Sequence, residues 1–202
     1  MYFVKSKDSL EMTSVFQEFL IRMDKAYSQW RIARFRCDNG RGEYDNRLFH
    51  GILHVSGISF EPAPPYTQHK NEKSERMIQT LVTKARTLLI DAKLPTAMWA
   101  EAIMTSSYLH ERSPSRPLGL KSPYEMLNEG KKPTIHHLRR FGCLAYKLIP
   151  PPQCTNRKFG ERSRLCIMIG YVHDATTMWR LWDTVEKRMI TVTTARGDGG
   201  NR

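Results

Sequence analysis

The sequence predicts an α/β chain that ends in an all-β part, and three observations lead there. Apolar residues at helical spacing alternate with short β-like runs as far as about residue 130. Beyond Arg140 the helical spacing stops and only short β-like runs remain. A hydrophobic content of 40% over 202 residues is enough for a buried core, which excludes a disordered chain.

At the start of the chain, Tyr2-Phe3-Val4 reads as the end of a strand. It is shorter than the roughly 5–6 residues of an ordinary one, so the fold is expected to start in mid-sheet. From Ser9 to Ala26, Leu10, Met12, Val15, Phe16, Phe19, Leu20 and Met23 recur at helical spacing, with Asp8 or Ser9 able to cap the start. Ile32 to Arg36 reads as a strand running into Cys37-Asp38-Asn39-Gly40, a turn. Asn46 to Val55 is a short amphipathic helix and Gly57 to Phe60 a short strand. Glu61 to Asn71 is too rich in proline to be an element and reads as a loop, the kind of segment that often carries function. Met77, Ile78, Leu81, Val82, Ala85, Leu88, Leu89 and Ala92 mark one face of a long helix from Glu72, with Glu75 in its first turn. A second helix runs from about Pro95 to Glu111, and Ser122 to Leu127 is a short one with proline in its first turn.

The β-like runs are Cys143–Ile149, Cys166–Val172, Trp179–Trp182 and Met189–Val192, read as a small barrel with Tyr171, Trp179 and Trp182 in its core. The expected division is a first domain over residues 1–130, a small β module over 131–195 and a flexible tail over 196–202.

The 32 Lys and Arg outnumber the 20 Asp and Glu, for a net charge of +12, which favours a polyanionic partner, DNA or RNA. Charge alone leaves a plain solubility surface open as the alternative. Cys37, Cys143, Cys154 and Cys166 form no CxxC pair, which argues against a disulfide scaffold and for a reducing, intracellular setting. No run approaches the roughly 18 apolar residues of a membrane span, so no membrane partner is expected.

Two carboxylates stand out. Asp38 comes after a strand and Glu75 opens a helix, an order that can bring both to one sheet edge as hard oxygen ligands for Mg²⁺ or Mn²⁺. Paired metals there would activate a hydroxyl and stabilise the leaving oxygen at a phosphodiester. The residues by themselves also allow a turn at Asp38 and a helix-dipole role for Glu75.

The longer pattern resembles the integrase core of copia-type retrotransposons. It is carried by Arg36-Cys37-Asp38-Asn39-Gly40 with Gly42-Glu43-Tyr44, by Pro65 through Arg76, by Leu94 through Ala102, by Ser122 through Glu125, by Leu138 through Tyr146 and by Cys166 through Tyr171. The resemblance implies an RNase-H-like fold of the retroviral integrase superfamily followed by an SH3-like module. It also implies a metal triad in which Asp38 matches the second Asp and Glu75 the Glu. The 36 residues between them are close to the family's spacing of about 35, and loop-length changes cost little. The implied activity is DNA integration, a strand transfer in which a cDNA 3′-hydroxyl attacks target DNA.

Three departures qualify this. The family's first Asp belongs to a segment expected before Met1, so impaired chemistry is one expectation and an inactive relic that only holds DNA or RNA is its alternative. The zinc-binding His/Cys module that precedes such cores has no counterpart, and His50 and His54 read as a helix face. Glu72 stands where the family has a small residue. By position, Lys70, Lys73 and Arg76 beside Glu75, together with Tyr66, Gln68, His69 and Asn71 in the loop, are the candidate DNA contacts, which position phosphates without reading sequence. The resemblance further implies cDNA ends and target DNA as partners, a homo-oligomer and a nuclear location.

Overall fold

The structure is a computed structural model that describes residues 8–37, 44, 46–62, 72–150, 160–173 and 175–193, with the backbone of 195–197. The expected strand at Tyr2-Phe3-Val4 lies outside these. The helices are α1 (Ser9–Ala26), α2 (Arg47–Val55), α3 (Glu72–Ala92), α4 (Trp99–Arg112) and α5 (Pro123–Leu127). The strands are β1 (Arg34–Cys37), β2 (Ser59–Pro62), β3 (Leu144–Leu148), β4 (Ser163–Tyr171), β5 (Trp179–Asp183), β6 (Arg188–Val192) and β7 (Ala195–Gly197). The chain divides into two compact units inside α3, between Gln79 and Thr80.

In the first unit β1 and β2 pair in parallel, Arg34 opposite Ser59 and Cys37 opposite Pro62, joined through α2. The apolar stripe of α2 puts Phe49 and Leu53 inward, with Ile58, Phe16, Leu20, Ile32, Phe35 and Phe60 around them. Fully buried Phe49 has ring centroids of Phe16 at 5.0 Å and Phe35 at 5.1 Å, the latter edge-on as aromatic quadrupoles favour. Asn46 caps α2, its side-chain oxygen accepting from Phe49 N at 2.8 Å, and its amide donates to Thr13 Oγ1 at 3.1 Å, tying α1 to the cap. At the start of α1, Asp8 holds the cap position without a side-chain capping bond. His50 meets Phe60 edge-on at 4.9 Å and is a packing residue of α2, as the helix-face reading expects.

The second unit is an antiparallel sheet in the order β6-β5-β4-β3-β7 with helices packed against it. β4 is central, and its alternation feeds two cores. Cys166 and Met168 join Tyr108, Ala145, Tyr171 and Leu181, while Ile169 joins Ala85, Leu89, Ala102 and Phe141. A bulge between Met168 and Gly170 resets the alternation, so Tyr171 packs with Met168 rather than with Ile169. Buried polar groups tie α4 to this sheet: Thr105 Oγ1 donates to Ile169 O at 3.1 Å and Arg180 Nη2 to Glu101 Oε1 at 2.8 Å. α4 and the end of α3, which the sequence reading groups with residues 1–130, therefore share their core with strands that start at Leu144.

Two residues of the expected tail, 196 and 197, lie in a strand. Ala195–Gly197 forms β7 and pairs with β3, Tyr146 opposite Arg196. Glycine-rich composition at 197–200 hides a strand whose partners lie some fifty residues earlier. Tyr171 is buried and Trp179 and Trp182 are half-buried, so all three pack as core rather than as an exposed stacking platform.

Candidate active site

β1 and β2 are short, β1 carries arginines at its exposed positions, and their parallel register decides which residues meet at the sheet end. Arg36, one residue before the end of β1, donates from Nε to Glu61 Oε2 at 2.7 Å, and Arg34 lies 3.6 Å from the same carboxylate. Opposite residues on adjacent strands make this pairing possible, Arg36 facing Glu61 in the ladder. Because the strands are parallel, the chain leaves both at the same end, where Cys37 and Pro62 stand side by side. In open α/β sheets that carboxyl end is where ligands bind.

Asp38 is the next residue after Cys37 and lies outside the described residues, as do Tyr66, Gln68, His69, Lys70 and Asn71. Glu75, Lys73 and Arg76 are described. All three are exposed in the first turns of α3, where the partial positive charge of the helix start favours carboxylates and phosphates. Among the described residues no three His, Cys, Asp or Glu side chains gather as metal ligands.

Two features of this region escape a reading of the sequence. Glu72, noted only as a departure, accepts from Arg76 Nη2 at 2.6 Å one turn on. The i,i+4 spacing of acid and base was the available signal. The convergence of Arg34 and Arg36 on Glu61 depends on strand register, which no local pattern reveals.

Comparison with known proteins bears on the whole chain. The retroviral polymerase SH3-like domain family matches residues 143–197, which take in β3 to β7. The retrovirus-related Pol polyprotein from transposon TNT 1-94 of Nicotiana tabacum is 40% identical over 94% of this chain. The Pol polyprotein from transposon RE1 of Arabidopsis thaliana is 36% identical over 71% of it. Its relatives are thus copia-type retrotransposon Pol polyproteins, 36–40% identical over most of this chain. It spans 14% of the tobacco relative and 9% of the Arabidopsis one.

The fold is α/β, with an SH3-like module over the C-terminal strands. A chain of the simian T-cell lymphotropic virus intasome, solved by cryo-electron microscopy in complex with PP2A regulatory subunit B56 gamma, superposes with a TM-score of 0.51 at 13% identity. The match covers 98% of this chain and 67% of that one. Among its described residues, the chain has no helix long and apolar enough to cross a membrane.

Proposed function

We propose that this chain is part of an integration enzyme, a divalent-metal-dependent DNA strand-transfer region in which Asp38 and Glu75 are metal ligands. The observation that carries the reading is the parallel pairing of Cys37 with Pro62: the residue after Cys37 is Asp38, and the segment after Pro62 leads to Glu75. Relatedness to retrotransposon Pol polyproteins over most of the chain supports the same assignment.

In this reading the carboxylates of Asp38 and Glu75 hold Mg²⁺ or Mn²⁺, and Glu75 is positioned by a 21-residue helix that keeps its geometry rigid. The bound metal would supply activation of the attacking hydroxyl and charge stabilisation at the leaving oxygen. Lys70, Lys73 and Arg76 orient the phosphates of cDNA ends and target DNA, and Tyr66, Gln68, His69 and Asn71 extend that surface. A cDNA 3′-hydroxyl then attacks a target phosphodiester, a new P–O bond forming as the old one to the target strand's 3′-oxygen breaks. The division into a catalytic core over residues 1–130 and an SH3-like module over 131–195 belongs to the same proposal. The family match over 143–197 supports its second part. A nuclear site of action and assembly into oligomers belong to it too, the latter in line with the intasome likeness.

The test is joining of a labelled oligonucleotide 3′ end to plasmid DNA in Mn²⁺, comparing the chain with Glu75→Gln, alongside DNA binding at several salt concentrations. Joining that Glu75→Gln removes while DNA binding is kept supports the proposal. Salt-dependent binding without any joining favours a nucleic-acid-holding module, a role that the net charge of +12 suits.

A further inference from the structure

We propose that Ser113 is a phosphorylation site for a proline-directed serine/threonine kinase. The chain contains two Ser-Pro dipeptides, Ser113-Pro114 and Ser122-Pro123, and no Thr-Pro. The fold separates them. Ser122 is 3% exposed, and its Oγ is engaged as the cap of α5, accepting from Glu125 N at 3.1 Å. Ser113 is exposed at the end of α4, and Pro114 and Arg116 after it are exposed too.

Kinases read the residues around a serine in extended form. The backbone at Ser113 is extended, φ −88° and ψ 138°, and so is that at Ser115, φ −128° and ψ 131°, a short extended step between α4, which ends at Arg112, and a 3-10 turn over Arg116–Leu118. Downstream the segment is held by its own bonds, with Ser115 N donating to Lys121 O at 3.0 Å and Leu120 N to Ser115 O at 3.0 Å, so it presents one shape. Pro114 has no backbone N–H to offer an enzyme at this position. It thereby selects an enzyme that tolerates proline there. Arg116, three residues after the serine, offers a guanidinium to an acidic or phosphate group on that enzyme. In the reaction the Ser113 hydroxyl oxygen bonds to the γ-phosphorus of ATP, the bond from that phosphorus to the bridging oxygen breaks, the hydroxyl proton passes to the kinase's base and ADP leaves.

The modification has a local consequence. Ser113 Oγ donates to Leu109 O at 2.7 Å, one of the last carbonyls of α4. A phosphoryl group removes that donor and adds about −1.5 to −2 charge where the helix end is already negative. The last turn of α4 loosens, and with it Arg112, whose guanidinium lies 3.4 Å from the centre of the Tyr108 ring.

The chain is incubated with ATP and a proline-directed kinase that prefers a basic residue three positions on, and phosphosites are mapped by tandem mass spectrometry. Phosphate at Ser113, none at Ser122 until the chain is heat-denatured, and incorporation about tenfold slower in Arg116→Ala are expected. Phosphate on native Ser122 ahead of Ser113, no phosphate on Ser113, or an unchanged rate in Arg116→Ala overturns the proposal.

Discussion

Tyr108 Oη and His137 Nε2 stand 2.8 Å apart in the interior of the second unit, and His137 Nδ1 has no hydrogen-bond partner among the described residues. Tyr108 and Arg112 face this imidazole from α4, Tyr171 from β4 and Trp179 from β5, whose Nε1 donates to His137 O at 3.2 Å; His136 and Arg139 flank it on its own segment. Burial withholds water from the charged ring, and the positive charges of Arg112, His136 and Arg139 add to this, so its pKa lies below the usual histidine value. The unfolded chain, with a histidine pKa of about 6.5, therefore takes up the proton first as pH falls. The stability contributed by neutral His137 is complete above that value and is lost as pH drops through the folded one. The urea midpoint should be lower at pH 5.5 than at pH 7.5, and by less in His137→Gln; an equal fall in the two proteins would refute this.

Gly142 sits at φ +80°, and a Cβ built on it would lie 2.3 Å from Ala92 Cβ at the end of α3. Gly142→Ala should cost roughly 2–4 kcal/mol, combining overpacking with a left-handed backbone. Gly130, at φ +85° with nothing within 4 Å of its Cβ position, isolates the backbone part, so Gly130→Ala should cost only about 1–2 kcal/mol. Equilibrium urea unfolding measures both, and equal losses would show that the Ala92 contact carries no weight.

The Arg180–Glu101 pair joins β5 to α4 with the Glu101 side chain almost wholly buried. Burial raises the pKa of Glu101, opposed by the charge of Arg180, so the carboxylate depends on its partner. Arg180→Ala should destabilise the fold by about 3 kcal/mol because it leaves a buried acid unpaired, while Glu101→Leu with Arg180→Leu together should recover most of the loss. A double-mutant cycle with no coupling would place the cost of Arg180→Ala in lost packing instead.

Glu72 and Arg76 pair across the first turn of α3, both well exposed. Glu72→Gln removes a negative charge beside the candidate DNA contacts and should tighten DNA binding a few-fold at low salt, an effect that fades as salt rises. Fluorescence anisotropy with a labelled duplex at two salt concentrations reads it. An affinity that does not move at low salt would mean that this turn faces away from DNA.

Much of the fold was legible in the sequence. α1 occupies Ser9–Ala26 and α3 Glu72–Ala92, as the apolar spacing predicts, because a long amphipathic stripe has one way to bury itself. Strand ends were less legible: β1 and β2 extend to Cys37 and Pro62, and β4 begins at Ser163, since a ladder continues as far as its partner offers backbone groups. Of the site, Glu75, Lys73 and Arg76 fall on the predicted helix, whereas Asp38 and the loop residues lie outside the described part.

By itself the sequence determined the α/β order, the basic character and the family motifs, because periodicity, charge and spacing are local properties. Tertiary structure alone decided that Cys37 stands beside Pro62, that a bulge turns Tyr171 toward Tyr108, that Ala195–Gly197 closes onto β3, and that Ser113 is open while Ser122 is hidden. Each of these depends on hydrogen-bond register or burial between residues distant in the chain, and no window of sequence contains both partners.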